Sequence, residues 1–200
     1  MLKQSRLMKK ISTPRQAQTW LKSLDYNPGN TMHGLHGVLA TQKAHCLEGA
    51  LSVATILEDH GYPPLILDLE SADGLDHTLF LFREKGKFGA VGMSRDFGLH
   101  GRKPVFKTIR ALAQSYVIPY IDPKARITAY GVFDLRTLKN DSWRTSQKNL
   151  WYVEDALREF PHHPIKTPTA TVRQWRKKLA DWKKKHPQQP FPYPRQKYWW

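Results

Sequence analysis

An α+β fold is predicted by three features of this 200-residue chain. The first is an apolar helix expected from Cys46 to about His60. Its apolar positions Leu47, Ala50, Leu51, Val53, Ala54, Ile56 and Leu57 cover more than one amphipathic stripe, so the helix should be central and buried. The second is a run of three short strands joined by brief links, which reads as an antiparallel meander. The third is the return of helical patterning only after that meander, which segregates helices from strands along the chain.

Taken in order, Thr13 is a good N-cap and Pro14 a good first helical residue for a short helix reaching Leu24. The turn cluster Tyr26-Asn27-Pro28-Gly29-Asn30 ends it. Residues 31–45 are mixed in character and carry His33, His36 and His45. The central helix follows and Gly61 stops it. Pro63 and Pro64 force an extended entry into a strand at Leu65–Leu69, with a turn at Ser71–Gly74. The second strand is His77–Phe82, the hairpin link is Glu84–Lys87, and the third strand is Phe88–Met93, whose glycines suit close packing. A helix is expected over Val105–Val117, from Phe106, Ile109, Leu112, Ala113 and Tyr116, with Pro119 as its terminator. A further strand is expected at Ile127–Leu135 and a helix at Leu150–Phe160, stopped by Pro161. A basic helix over Thr171–His186 places Trp175, Leu179 and Trp182 on one face. Asp68 and Glu70 read as solvent-side polar residues. The expected organisation is an N-terminal helical extension (1–30), a core (31–140), a C-terminal helical region (141–186) and an extended Pro- and aromatic-rich tail (187–200).

The formal net charge is +15 and the pI about 10.0, and the excess is uneven. Nine Lys/Arg and a single acid, Asp181, lie between Arg173 and Trp200. The basicity therefore belongs largely to the tail, which either solvates the protein or contacts an anionic partner. The basic N-terminus has no apolar segment of the secretory kind, and no stretch approaches the ~20 apolar residues of a membrane span. With one cysteine, these features suggest a soluble, cytoplasmic protein. Neither GxxxxGK[ST] nor GxGxxG occurs, and no histidine spacing completes a zinc set, so no cofactor is expected.

Cys46 is the only cysteine. Alone, such a residue is more often a small buried apolar group than a nucleophile. At a helix N-terminus, however, its thiolate is favoured by unpaired N–H groups. A thiol nucleophile also needs a base and donors for the oxyanion. His77, opening the second strand, is the candidate base. The Cys46 N–H and the Gln42 side-chain amide are candidate oxyanion donors, and His45 is a site-lining candidate. Ser94 and Asp96, at or just beyond the third strand, are candidates to orient the His77 ring. Asp76 points to the other face of its strand and is the poorer orienter.

This order of a cysteine helix, a histidine strand and a glycine-containing strand resembles the transglutaminase-like (papain-like) core. The text that carries the resemblance is His45-Cys46-Leu47-Glu48-Gly49-Ala50, Asp76-His77-Thr78-Leu79-Phe80-Leu81-Phe82 and Lys87-Phe88-Gly89-Ala90-Val91-Gly92-Met93-Ser94. It covers residues 31–96 and is similar to a bacterial branch of transglutaminase-like proteins out to about residue 140. The resemblance implies a Cys–His–Asp triad used for peptidase, amidase or transglutaminase-type acyl transfer on a peptide or amide substrate. Phe88 stands where that family usually has Trp, and Ser94 lies closest to its Asp, with Asp96 two residues on. A weaker acceptor at Ser94 motivates a second expectation, a binding or scaffold protein that keeps the fold and contacts a partner through its basic tail.

Overall fold

The structure, a computed structural model, describes residues 8–200. It is a mixed α+β fold around a six-stranded antiparallel sheet. Helix α1 (Pro14–Leu21) is followed by β1 (Asp25–Tyr26), α2 (Leu35–Thr41), β2 (Lys43–Ala44) and the central α3 (Cys46–Glu58). Then come β3 (Leu65–Ser71), β4 (His77–Glu84), β5 (Lys87–Val91), β6 (Arg102–Phe106), α4 (Ile109–Tyr120) and β7 (Ile127–Asp134). Helix α5 (Trp151–Glu159), β8 (His163–Pro164) and α6 (Thr169–Lys185) complete the order. The main sheet runs β6-β5-β4-β3-β7-β8, and β1 and β2 form a separate parallel pair.

Both faces of the main sheet are covered, which is why β3 and β4 read as nearly continuous apolar runs. On one face Ile66, Phe80, Phe82 and Val91 meet α3, in a core that also takes Leu21 from α1, Val38 from α2 and Trp143. On the other, Leu67, Leu69, Leu79 and Leu81 pack on Leu112, Ala113 and Tyr116 of α4. Every residue of α3 from Leu47 to Leu57 is buried, as its broad apolar pattern predicts. The segment expected as an N-terminal extension enters this core too. Thr13 caps α1 in a reciprocal capping box with Gln16. Buried Gln18 exchanges hydrogen bonds with both the N–H and the carbonyl of Gly92, each 3.0 Å long.

Two elements depart from expectation. The helix read over Val105–Val117 begins later, at Ile109, because Thr108 is its N-cap, accepting the Ala111 N–H at 3.1 Å. The residues before it form β6, an edge strand that tolerates Pro104. At its other end the helix continues through Pro119 to Tyr120. A proline there leaves the Ser115 carbonyl without its helical donor, and that carbonyl instead takes the Arg102 Nη2 at 3.5 Å. A short helix, α2, also occupies part of the mixed segment 31–45.

The tail folds back onto the protein. Phe191 packs edge-on against Trp175 and Trp182, and Tyr193 lies against Trp175. The aromatic face of α6 is thus covered by the tail. Beyond it, the Lys103 N–H donates to the Tyr198 carbonyl at 2.8 Å, and Trp199 forms a bridge to Arg102. These residues close the open edge of β6, a position that would otherwise present unpaired backbone groups. Among the described residues no helix is long and apolar enough to cross a membrane.

Candidate active site

The backbone around Cys46 is fixed from two sides. His45 is the N-cap of α3 in extended conformation, so Cys46 is the first helical residue, as the sequence predicts. The parallel β1–β2 pairing sets Tyr26 opposite Ala44 and thereby places Tyr26 beside the thiol's turn. At helix position N3, Glu48 is wholly buried and gathers donors from a distant loop. It accepts from Asn27 Nδ2 at 2.8 Å, Thr31 Oγ1 at 2.7 Å, and the backbone N–H groups of His33 at 2.9 Å and His45 at 3.1 Å. Burial pushes its carboxyl up, but the His45 charge and these hydrogen bonds outweigh that and hold it below the ordinary value. With Thr31 held, its carbonyl lies 2.8 Å from His45 Nε2.

His77 is the first residue of β4 and pairs with Leu69 at the end of the β3–β4 ladder. By strand parity it shares a face with Leu79 and Leu81, the α4 side, and its ring lies among Tyr116 and Tyr120, with centroids 6.0 and 6.4 Å away. At the strand's end it reaches round the sheet to the helix on the other face. Its Nε2 lies 2.8 Å from the Leu99 carbonyl, which leaves Nδ1 for the thiol. The Asp76 carbonyl is 4.0 Å from the Cys46 Sγ.

These groups determine the thiol's charge. Burial raises the Cys46 pKa, but hydrogen bonds from His45 and His77, with the charges of both imidazoles, overcome it and hold the thiol well below its ordinary value. For His45, burial opposes the charged form. The hydrogen bond and negative charge of Cys46, then the charge of Glu48 and the Thr31 carbonyl, prevail and push it up to about 9. Both shifts favour the thiolate–imidazolium form of the pair.

The remaining predicted residues fall differently. Neither Ser94 nor Asp96 orients His77, because the Leu99 carbonyl holds that ring nitrogen. The Ser94 hydroxyl accepts the Asp96 N–H at 3.1 Å and its carbonyl binds His100 Nε2 at 2.9 Å, while the exposed Asp96 carboxylate pairs with Arg95 at 3.2 Å. Gln42 is not at the oxyanion position either. It is exposed, caps the end of α2 in left-handed conformation, and donates its amide to the Leu39 carbonyl at 2.8 Å. We expect Gln42→Ala to leave the alkylation rate of Cys46 within about twofold of wild type, the scale of an exposed substitution away from a site. A tenfold loss would restore Gln42 to the site. Asp68, expected at the solvent side, is 1% exposed and lies 3.0 Å from His162 Nε2, because the segment before β8 covers it.

A cleft of about 360 Å³ is lined by Glu70, Ser71, Gly74, Asp76, Leu157, Arg158 and His162; of these, Asp76 has its carbonyl 4.0 Å from the Cys46 Sγ. Among the described residues, no group of three or more His, Cys, Asp or Glu side chains is arranged to hold a metal ion. The residues that sequence reasoning missed are Asn27, Thr31, Leu99 and Arg102. Glu48 alone carried a local signal, an acid three residues after an N-cap. No known family model matches the chain, and no curated protein matches it.

Proposed function

We propose that this chain is a thiol-dependent acyl-transfer enzyme of the transglutaminase-like (papain-like) kind, acting on an amide or ester carbonyl. The observation that carries the reading is the single thiol at the first position of a buried helix, flanked by His45 and His77 and biased to its thiolate. The two imidazoles divide the work. His45, held by the Thr31 carbonyl and beside Glu48, is the resident cation that keeps Cys46 ionised. His77, held through Nε2, moves the proton.

Cys46 Sγ attacks the carbonyl carbon, forming a C–S bond while the oxygen takes the negative charge. The Cys46 N–H, at a helix start where no intrahelical acceptor exists, is the oxyanion donor on the helix itself. Collapse breaks the C–N or C–O bond, and the leaving group takes the Nδ1 proton of His77, which enters the cycle protonated on both ring nitrogens. Water or an amine then gives its proton to His77 as it attacks the thioester, and the thiolate leaves.

Iodoacetamide provides the test, since it reads the thiolate directly. Cys46 in the folded wild-type chain should be alkylated readily at pH 6–7. In His77→Ala the pH midpoint of alkylation should rise, and the rate should fall by about tenfold for each unit by which the thiol's pKa then exceeds the working pH. An inert Cys46, or a His77→Ala chain with the wild-type alkylation midpoint, would count decisively against the reading.

A further inference from the structure

Arg102 is fully buried, yet among the described residues no carboxylate pairs with it. Taking a lone charge out of water is costly, so its donors must be satisfied by other means. They are satisfied by backbone. Nη2 donates to the Gly98 carbonyl at 2.6 Å, and Nη1 to the carbonyls of His100 at 2.7 Å and Gly101 at 3.4 Å. The Ser115 carbonyl takes Nη2 at 3.5 Å, and Nε reaches the Ser115 hydroxyl at 3.3 Å. Three carbonyls of one short loop thus turn toward a single guanidinium. The carbonyl in their midst, that of Leu99, goes instead to His77 Nε2.

Rings pack around the guanidinium. Tyr116 lies 4.0 Å from its carbon, with Trp199 at 5.2 Å and Tyr198 at 5.7 Å. Tyr116 in turn presents to the His77 ring. The loop is also pinned at Gly101, where a Cβ would come within 2.1 Å of Gln18 Oε1 and 2.4 Å of the Ala90 carbonyl, so only glycine fits.

We propose that Arg102 is a positioning residue for His77, acting through the Leu99 carbonyl, and that Tyr198 and Trp199 of the tail hold Arg102 in that role. This rests on the Cys46–His77 pairing proposed above. The part left open by the absent carboxylate is filled by a backbone carbonyl, which fixes one imidazole tautomer but supplies no negative charge. Only a planar fork of five donors can collect these carbonyls together, so lysine is a poor replacement.

The test uses the full chain with Arg102→Met, Arg102→Lys and Trp199→Ala, and His77→Ala as reference. The pH dependence of Cys46 alkylation by iodoacetamide is read beside circular dichroism and the urea midpoint. The groups facing the thiol are Tyr26, His45, Asp68, Asp76, His77 and Tyr120, and His100 faces His77; all are kept in the Arg102 and Trp199 variants. We expect the alkylation midpoint to rise by a unit or more in Arg102→Met and in Arg102→Lys, and to rise less in Trp199→Ala. A purely structural role would lower the urea midpoint and leave the alkylation midpoint in place. Should Arg102→Met not fold, Arg102→Lys and Trp199→Ala decide: wild-type midpoints in both overturn the proposal. If His77→Ala shifts the midpoint while the folded Arg102 variants do not, the role of Arg102 alone falls. If His77→Ala has no effect, the pairing falls and this proposal with it.

Discussion

Glu48→Ala should lower the stability of the protein by about 3–5 kcal/mol, the scale for removing one partner from a buried charged network. Four donors, from Asn27, Thr31, His33 and His45, converge on this one carboxylate. Alanine would leave them facing a cavity in the first turn of α3. Glu48→Gln keeps the shape but sets an amide N–H₂ against donors, so it should lie between alanine and wild type. The urea midpoint at constant m-value measures both. A loss under about 1 kcal/mol for alanine would mean that the loop holds itself without Glu48.

The same network has a pH signature. The folded carboxyl lies below its ordinary value of 4.5. A depressed acid stabilises fully above its unfolded pKa and loses that contribution as pH falls through the folded one. The Glu48 contribution therefore persists at pH 5 and declines below 4.5. Glu48→Gln, which cannot titrate, should show a shallower acid limb than wild type. In wild type the acid loss should also release Thr31 and with it the carbonyl that anchors His45.

How much of this was legible in the sequence depended on whether a role belongs to a side chain or to a backbone. The helix beginning at Cys46 was readable because seven apolar positions spread over Leu47–Leu57, about three turns, cover more than one amphipathic stripe. His77 at a strand start was readable from the turn cluster before it. The partner of His77 was not, since any residue can supply a carbonyl and Leu99 looks like an ordinary core leucine. Ser94 and Asp96 were sought because an acceptor side chain was assumed. Arg102 was hidden for a related reason: a basic residue before an apolar pattern reads as surface, and only tertiary closure by β6 and the tail buries it. Asp68 was misplaced because strand alternation alone does not show that the segment before β8 returns over it.

The second large effect is expected at His45. Its imidazole is pushed up to about 9, and the first causes that raise it are the hydrogen bond and charge of Cys46. Cys46→Ser removes the thiolate, leaving Glu48 and the Thr31 carbonyl against the burial that favours neutrality. The His45 midpoint, followed by the ring-proton NMR shift, should then fall by at least one unit toward 6.5. A midpoint still near 9 would assign the cation to Glu48 alone. The sign of the linked stability follows from counting protons. An elevated imidazole contributes fully below its unfolded pKa of 6.5 and loses that contribution as pH rises through about 9. A depressed thiol contributes fully above its unfolded value of 9.0 and loses it as pH falls through the folded one. Between 6.5 and 9.0 the unfolded pair is neutral thiol and neutral imidazole, and folding only moves a proton from one to the other. The pair's stabilisation should therefore be flat across that window and fall off on either side. The difference in stability between wild type and a Cys46→Ser/His45→Gln double variant, in which neither member titrates, measured by urea unfolding from pH 5 to 10, should trace that plateau. A difference that rises or falls steadily through pH 7–8 would mean that Cys46 and His45 titrate separately, and that the resting thiol is not an ion-paired nucleophile.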